Sequence, residues 1–97
     1  MPTIDELKKN IIPFINDYGI KRVGVFGSLA RGEAKESSDI DLVFDFDKEF
    51  GLFALSGLKI ALEESLGKKV DIVEFSSLDP NIGANIMNEV VMLYEQG

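Results

Sequence analysis

Residues 38–46, SDIDLVFDF, alternate without a break. Asp39, Asp41, Val43 and Asp45 point one way; Ile40, Leu42, Phe44 and Phe46 point the other. A period of two belongs to a β-strand, and a helix would scatter the four apolar side chains around its axis. Sliding the strand by one residue would bury the aspartates and expose the apolar set, so the pattern itself selects the core face. Such a strand is not stable alone. It requires neighbouring strands and a cover over Ile40, Leu42, Phe44 and Phe46.

The rest of the chain supplies both. Thr3 followed by Glu6 is a capping-box pattern. Ile4, Leu7, Ile11, Ile15 and Tyr18 then recur at helical spacing, with Pro13 predicting a kink and Gly19 a stop. Residues 21–26, KRVGVF, read as a short buried strand, followed by one helical turn at Ser28–Arg31. Residues 51–66 read as a helix with Leu55, Leu58, Leu62 and Leu66 along one side and Gly67 as its end. Phe53 and Ile60 lie roughly opposite that stripe. Either a terminal helix covers them or they form a modest apolar patch suited to a partner. Residues 69–75, KVDIVEF, read as a third strand, with Asp71 out of phase with Val70 and Ile72 and Glu74 on the face opposite Asp71. Asp79-Pro80 opens a last helix near 81–89, and the tail VVMLYE either finishes it or forms a short edge strand. The order predicts one α/β domain over residues 1–97, built around a small sheet.

Composition removes several chemistries. The chain has no Cys and no His, which excludes disulfides, thiolate or imidazole metal sites, cysteine nucleophiles and His-based triads. A metal here must be hard and oxygen-bound. The net charge is −7, and the basic residues are scattered, so a long nucleic acid is not the expected ligand. There is no basic segment leading into an apolar run, and no apolar run near the roughly 20 residues of a membrane span. A cytoplasmic protein is the expectation, with no membrane association.

The stretch GSLARGEAKESSDID, residues 27–41, places Gly27-Ser28 ten residues before Asp39 and Asp41. Carboxylates at i and i+2 of a strand share one face, roughly 7 Å apart. Alone they repel. A divalent cation reverses that, and Mg²⁺ binds through one or two carboxylates plus phosphate oxygens of a substrate. Gly27 lets the backbone turn sharply and approach a ligand, and the helical turn after it aims free N–H groups, with the Ser28 hydroxyl, at an anion. One end of the stretch grips phosphate; the other grips the metal that bridges it.

Gly-Ser, ten residues, Asp-x-Asp resembles the motif of the DNA polymerase beta-like nucleotidyltransferases. The surrounding GSLARGEA…SDIDLVF, together with Asp71 in KKVDIVEF, is similar to the minimal nucleotidyltransferases among them. The similarity runs over nearly the whole chain. It implies a nucleotidyltransferase fold, a mixed sheet of mainly three strands with helices packed on it. It implies catalytic and metal-binding roles for Asp39, Asp41 and Asp71, two Mg²⁺ ions, and ATP as substrate. An acceptor hydroxyl attacks the α-phosphorus and pyrophosphate leaves, with Asp71 helping to deprotonate the hydroxyl. Gly27, Ser28, Arg31 and Ser38 form the nucleotide-binding set. Arg31 either contacts phosphate, buttresses the loop or makes a surface salt bridge. Glu33 and Ser38 structure the loop, Ser38 through nearby backbone. Asp45 and Asp47 read as solvated strand-end charges. Leu29 stands where relatives often carry a larger polar or aromatic residue, which leaves contacts to base or ribose there open.

The resemblance also implies a partner, since minimal nucleotidyltransferases are commonly paired with helical HEPN-domain toxins. The expected activity is transfer of AMP to a tyrosine of such a toxin, which makes this chain an antitoxin. A non-catalytic antitoxin that works by covering its partner is the alternative, and modification of a small cationic molecule a third. Two unrelated readings of the stretch fail on sequence. A calcium-binding EF-hand loop starting at Asp39 would need Gly at Phe44 and Glu at Phe50, and a P-loop would need Lys-Ser/Thr after Gly32, where Glu33-Ala34 stands.

Overall fold

The computed structural model describes residues 1–47 and 51–96. Thr3 opens helix α1 (Ile4–Ile15) as its spacing to Glu6 predicts: the Thr3 hydroxyl oxygen accepts from Glu6 N–H at 3.1 Å, and the Glu6 carboxylate accepts from Thr3 N–H at 3.3 Å. The helix continues two residues past Pro13 and closes before Tyr18. Gly19, at φ +59°, turns the chain into β1 (Ile20–Phe26). The one-turn helix α2 (Gly27–Ala30) begins one residue earlier than the pattern predicts. Next come β2 (Ile40–Phe46), α3 (Leu52–Leu66), β3 (Val70–Glu74), a 3-10 turn at Phe75–Ser77, α4 (Pro80–Glu89) and β4 (Val91–Glu95). Gly67 ends α3 in the left-handed region at φ +67°, its N–H donating to Glu63 O at 2.8 Å. Asp79 caps α4, its carboxylate accepting from Asn81 N–H at 2.9 Å.

These strands form one mixed sheet in the order β3-β2-β1-β4. β1 runs antiparallel to β2 and β4, whereas β2 and β3 are parallel and joined through α3. The sheet therefore has four strands where mainly three were expected. The tail VVMLYE leaves α4 at Val90 and pairs along β1, because Leu93 gains a place in the core, 8% exposed. Gly24 permits the approach: a Cβ on Gly24 would lie 2.6 Å from Val90 Cγ2 and 3.3 Å from Met92 Sδ.

Ile40, Leu42 and Phe44 are fully buried with Val23, Val25 and Val70, beneath Leu7 and Ile11 of α1 and Leu58 and Leu62 of α3. Leu55 and Leu66 of the predicted stripe are only partly buried. On the other face Val43 is also fully buried. That face is roofed where Arg22 Nε donates to Asp45 at 3.2 Å and the guanidinium lies 4.1 Å from the Phe75 ring centre. Asp45 is thus half-buried and ion-paired rather than a solvated strand-end charge. No terminal helix covers Phe53 or Ile60, which are 93% and 55% exposed, and Ile12 of α1 is 63% exposed. The loop between α2 and β2 is tied down at Glu36, whose carboxylate accepts from Lys68 Nζ at 3.0 Å and from the Met1 amino group at 2.9 Å. No described helix is long and apolar enough to cross a membrane.

Phe44 is the largest fully buried side chain among the described residues. Phe44→Ala is expected to cost about 3–5 kcal/mol, measured by urea denaturation. A loss below about 1 kcal/mol would show that this core closes around the gap.

Candidate active site

Parallel pairing sets Asp41 of β2 beside Asp71 of β3, and antiparallel pairing sets Phe26 of β1 beside Asp41. Residues paired across strands share a face, so Phe26, Asp41 and Asp71 form a row across three strands. The chain turns at Gly27, directly after that row. Gly27 has φ +74°, and a Cβ there would collide with Asp41 Oδ2 and lie 3.2 Å from Asp41 Cγ. The left-handed backbone favours glycine here, and any side chain would also have to push the Asp41 carboxylate aside.

Asp41 is half-buried, and its pKa is raised. Burial is the main cause; the charges of Asp71 and Asp39 and a hydrogen bond with Asp71 add to it, while Arg31 pulls the other way. Asp71 is exposed, and Asp39 sits just before β2 rather than in it, also exposed. A cavity of about 550 Å³ opens beside the row, walled by Asp41, Asp71, Phe26, Leu55, Ser56 and Lys59 among others. That volume falls in the range of small-molecule sites.

At the other end of the stretch, α2 brings Ser28, half-buried, and Arg31, exposed, to the turn. Arg31 Nε donates to Glu33 at 3.2 Å, and Nη1 donates to both oxygens of Glu89 at 3.4 and 3.2 Å. These hydrogen bonds, Glu33 first, raise the Arg31 pKa. The salt-bridge reading of Arg31 is therefore realised in the structure. Ser38 closes the turn ahead of β2: its hydroxyl oxygen accepts from Lys35 N–H at 2.9 Å and its own N–H donates to Lys35 O at 2.9 Å. The same geometry leaves Asp39 at the mouth of the loop.

Glu89 did not emerge from the sequence. It ends α4, yet its Oε1 accepts from Gly27 N–H at 2.9 Å, across 62 residues of chain. That backbone hydrogen bond is the first cause of its lowered pKa, with burial opposing and Arg31 assisting. One signal was available. A carboxylate at a helix C-terminus faces the negative end of the macrodipole and is favoured there only when it finds a partner elsewhere.

The donor set is all carboxylate. Among the described residues no three acidic side chains close into a cage for an ion. Asp41 and Asp71 are cross-strand partners, and Asp39, just before β2, is near enough for its charge to raise the Asp41 pKa. This fits a small hard cation that draws its remaining ligands from a substrate's phosphate oxygens, and the repulsion from Asp71 and Asp39 that adds to the raised Asp41 pKa is what a cation would relieve.

This α/β sheet, with its paired aspartates and glycine turn, places the chain in a known class: it belongs to the family described as Polymerase beta, Nucleotidyltransferase, which matches residues 9–97. It is a nucleotidyltransferase. A relative from Methanocaldococcus jannaschii, named as a candidate protein adenylyltransferase, is 46% identical over 88 residues, covering 91% of this chain and 95% of its own. A solved structure described as a minimal nucleotidyltransferase superposes with a TM-score of 0.79 at 36% identity, over 93% of this chain and 95% of the other. A chain in the structure of a tri-AMPylated Shewanella oneidensis HEPN toxin with its MNT antitoxin shares the fold, with a TM-score of 0.74 at 19% identity over 97% of this chain and 74% of that one.

Two variants test the geometry. Gly27→Ala is expected to lose about 1–3 kcal/mol from the left-handed backbone and to displace Asp41, read as a lower melting temperature together with lost nucleotide binding. Asp41→Asn is expected to melt higher than the native chain near neutral pH. A raised carboxylate pKa means that the fold favours the protonated form, so ionised Asp41 costs stability above that pKa and the cost vanishes in acid. The gap between the two melting temperatures should close as the pH falls.

Proposed function

We propose that this nucleotidyltransferase moves AMP from ATP to a tyrosine hydroxyl of a HEPN-type partner protein, acting as the antitoxin of a toxin–antitoxin pair. The observation that carries the reading is the in-register pair Asp41 and Asp71, set against the Gly27 turn and open to the cavity. The adenylyltransferase name of the 46%-identical relative supports the transferred group. The fold shared with the HEPN–MNT complex supports the partner class.

Asp39, Asp41 and Asp71 hold Mg²⁺. When bound, the ion neutralises charge on the transferring phosphoryl group and on the leaving pyrophosphate. The chain supplies the positions. Ser28 and the N–H groups of its turn after Gly27 face the β- and γ-phosphates, and Arg31 adds a cationic edge. Ser38 serves the site by fixing the turn that presents Asp39. Asp71 ends the row on the edge strand β3 and takes the hydroxyl proton of the acceptor. The acceptor oxygen then forms its bond to the α-phosphorus as the bond from that phosphorus to the bridging oxygen breaks, releasing pyrophosphate. The exposed Phe53 and Ile60 on α3 offer an apolar face to the partner.

Intact mass of the protein encoded beside this gene, after incubation with this chain, ATP and Mg²⁺, tests the proposal. The expected result is a gain of one AMP per transfer, lost with chelator and reduced at least about a hundredfold by Asp41→Asn. No gain with any of the four nucleotides, while a stable complex forms, would favour the covering antitoxin. So would neutralisation of the partner that survives the double change Asp39→Asn with Asp41→Asn.

A further inference from the structure

We propose that Glu89 is a positioning residue for the nucleotide: one carboxylate binds the Gly27 N–H and the Nη1 edge of Arg31 together, fixing the turn and directing the remaining edge of the guanidinium toward the phosphates. This rests on the reading that the turn and Arg31 face those phosphates.

Arg31 is clamped on two sides. Glu33 takes Nε at 3.2 Å and Glu89 takes Nη1 at 3.2 Å, while Nη2 donates to no acceptor among the described residues. A planar guanidinium held at Nε and Nη1 still has the two N–H groups of Nη2 to donate, in an orientation that the two anchored atoms fix. The clamp is built rather than incidental. Glu89 is 31% exposed at its side chain and ends a helix whose dipole disfavours it. The next residue, Val90, is seated against Gly24 of β1, in the space that a side chain at Gly24 would take. The carboxylate is therefore anchored by packing one residue away.

Glu89 could instead be a stand-in for phosphate that has to leave before nucleotide binds. The geometry argues against this. Glu89 approaches Gly27 through its N–H, whereas Asp41 rests on the position of its missing side chain. The two carboxylates thus meet Gly27 from different directions, and Glu89 does not lie on the side that Asp41 occupies.

The test is titration calorimetry of the full chain with the Mg²⁺ complex of α,β-methylene-ATP, which resists cleavage and needs no acceptor. Glu89→Ala is expected to raise Kd about tenfold. Glu89→Gln keeps an acceptor for the Gly27 N–H but loses the charge on Arg31, and is expected to raise Kd about threefold. If Glu89 acts through Arg31, the double change Arg31→Ala with Glu89→Gln should bind no worse than Arg31→Ala alone. Melting temperatures are recorded alongside, and if Glu89→Ala does not fold, the nearly isosteric Glu89→Gln carries the test. A lower melting temperature with unchanged Kd would reduce Glu89 to a structural role and overturn the proposal. Tighter binding by Glu89→Gln would overturn it in favour of a phosphate stand-in, and additive losses in the double variant would also overturn it. Failure of the native chain to bind the analogue would overturn the phosphate reading itself. Native binding with unaltered Glu89 variants would overturn only the role of Glu89.

Discussion

The burial of Ile40, Leu42 and Phe44 governs the rest of the molecule. With those three side chains sealed under α1 and α3, β2 can neither slide nor roll, since either motion would exchange apolar for acidic side chains in the core. Asp41 is therefore aimed first by the hydrophobic effect. The same burial fixes the partner strand. α3 packs its Leu58 and Leu62 on that face and delivers β3 parallel to β2, and the parallel register brings Asp71 level with Asp41. A single apolar surface thus positions two carboxylates that have every electrostatic reason to separate.

That repulsion is tolerated because the frame is stiffer than the charges are strong. Asp41 is half-buried beside Asp71 and Asp39, and a half-buried carboxylate among like charges opposes folding at neutral pH. The opposite face of the sheet is not left to water. Val43 is buried there, and Arg22, Asp45 and Phe75 form a roof one step further along the strands. The acidic row occupies only the end of the sheet, where the chain turns and a ligand can enter. Stability and function are divided along the length of β2, with its far end paired and covered and its near end charged and open.

Much of this could be read from the sequence, and what could not is long-range. The alternation at 38–46 identified both the core face and the aspartates, because a period of two is a local property of the backbone. The capping box, the leucine stripe and the Gly67 stop were legible for the same reason. Reading the tail was harder. VVMLYE satisfies a helix end as well as a strand, and only docking of Leu93 into a core made elsewhere resolves the choice. The sequence grouped Asp45 with the solvated charges because its partner, Arg22, is 23 residues away. Arg31 was read both as a phosphate contact and as a salt bridge, and the clamp by Glu33 and Glu89 is compatible with both roles. Glu89 was missed altogether, since nothing near it in sequence hints at Gly27.

The two halves of the site are completed by different parts of the fold. Asp41 and Asp71 are brought together by β2, α3 and β3. The Gly27 turn and Arg31 are completed by Glu89, which arrives only when α4 ends and β4 pairs with β1. Gly24 and Gly27, three residues apart on one strand and its turn, are the points where the halves are allowed to meet: Gly24 admits Val90, and Gly27 admits the Asp41 carboxylate. A side chain at either would separate an element of the site from its neighbour. The Gly27 end thus depends on the edge strand as directly as the carboxylate end depends on the core. A chain lacking β4 would keep its aspartates in register and lose the anchor of the guanidinium that faces them.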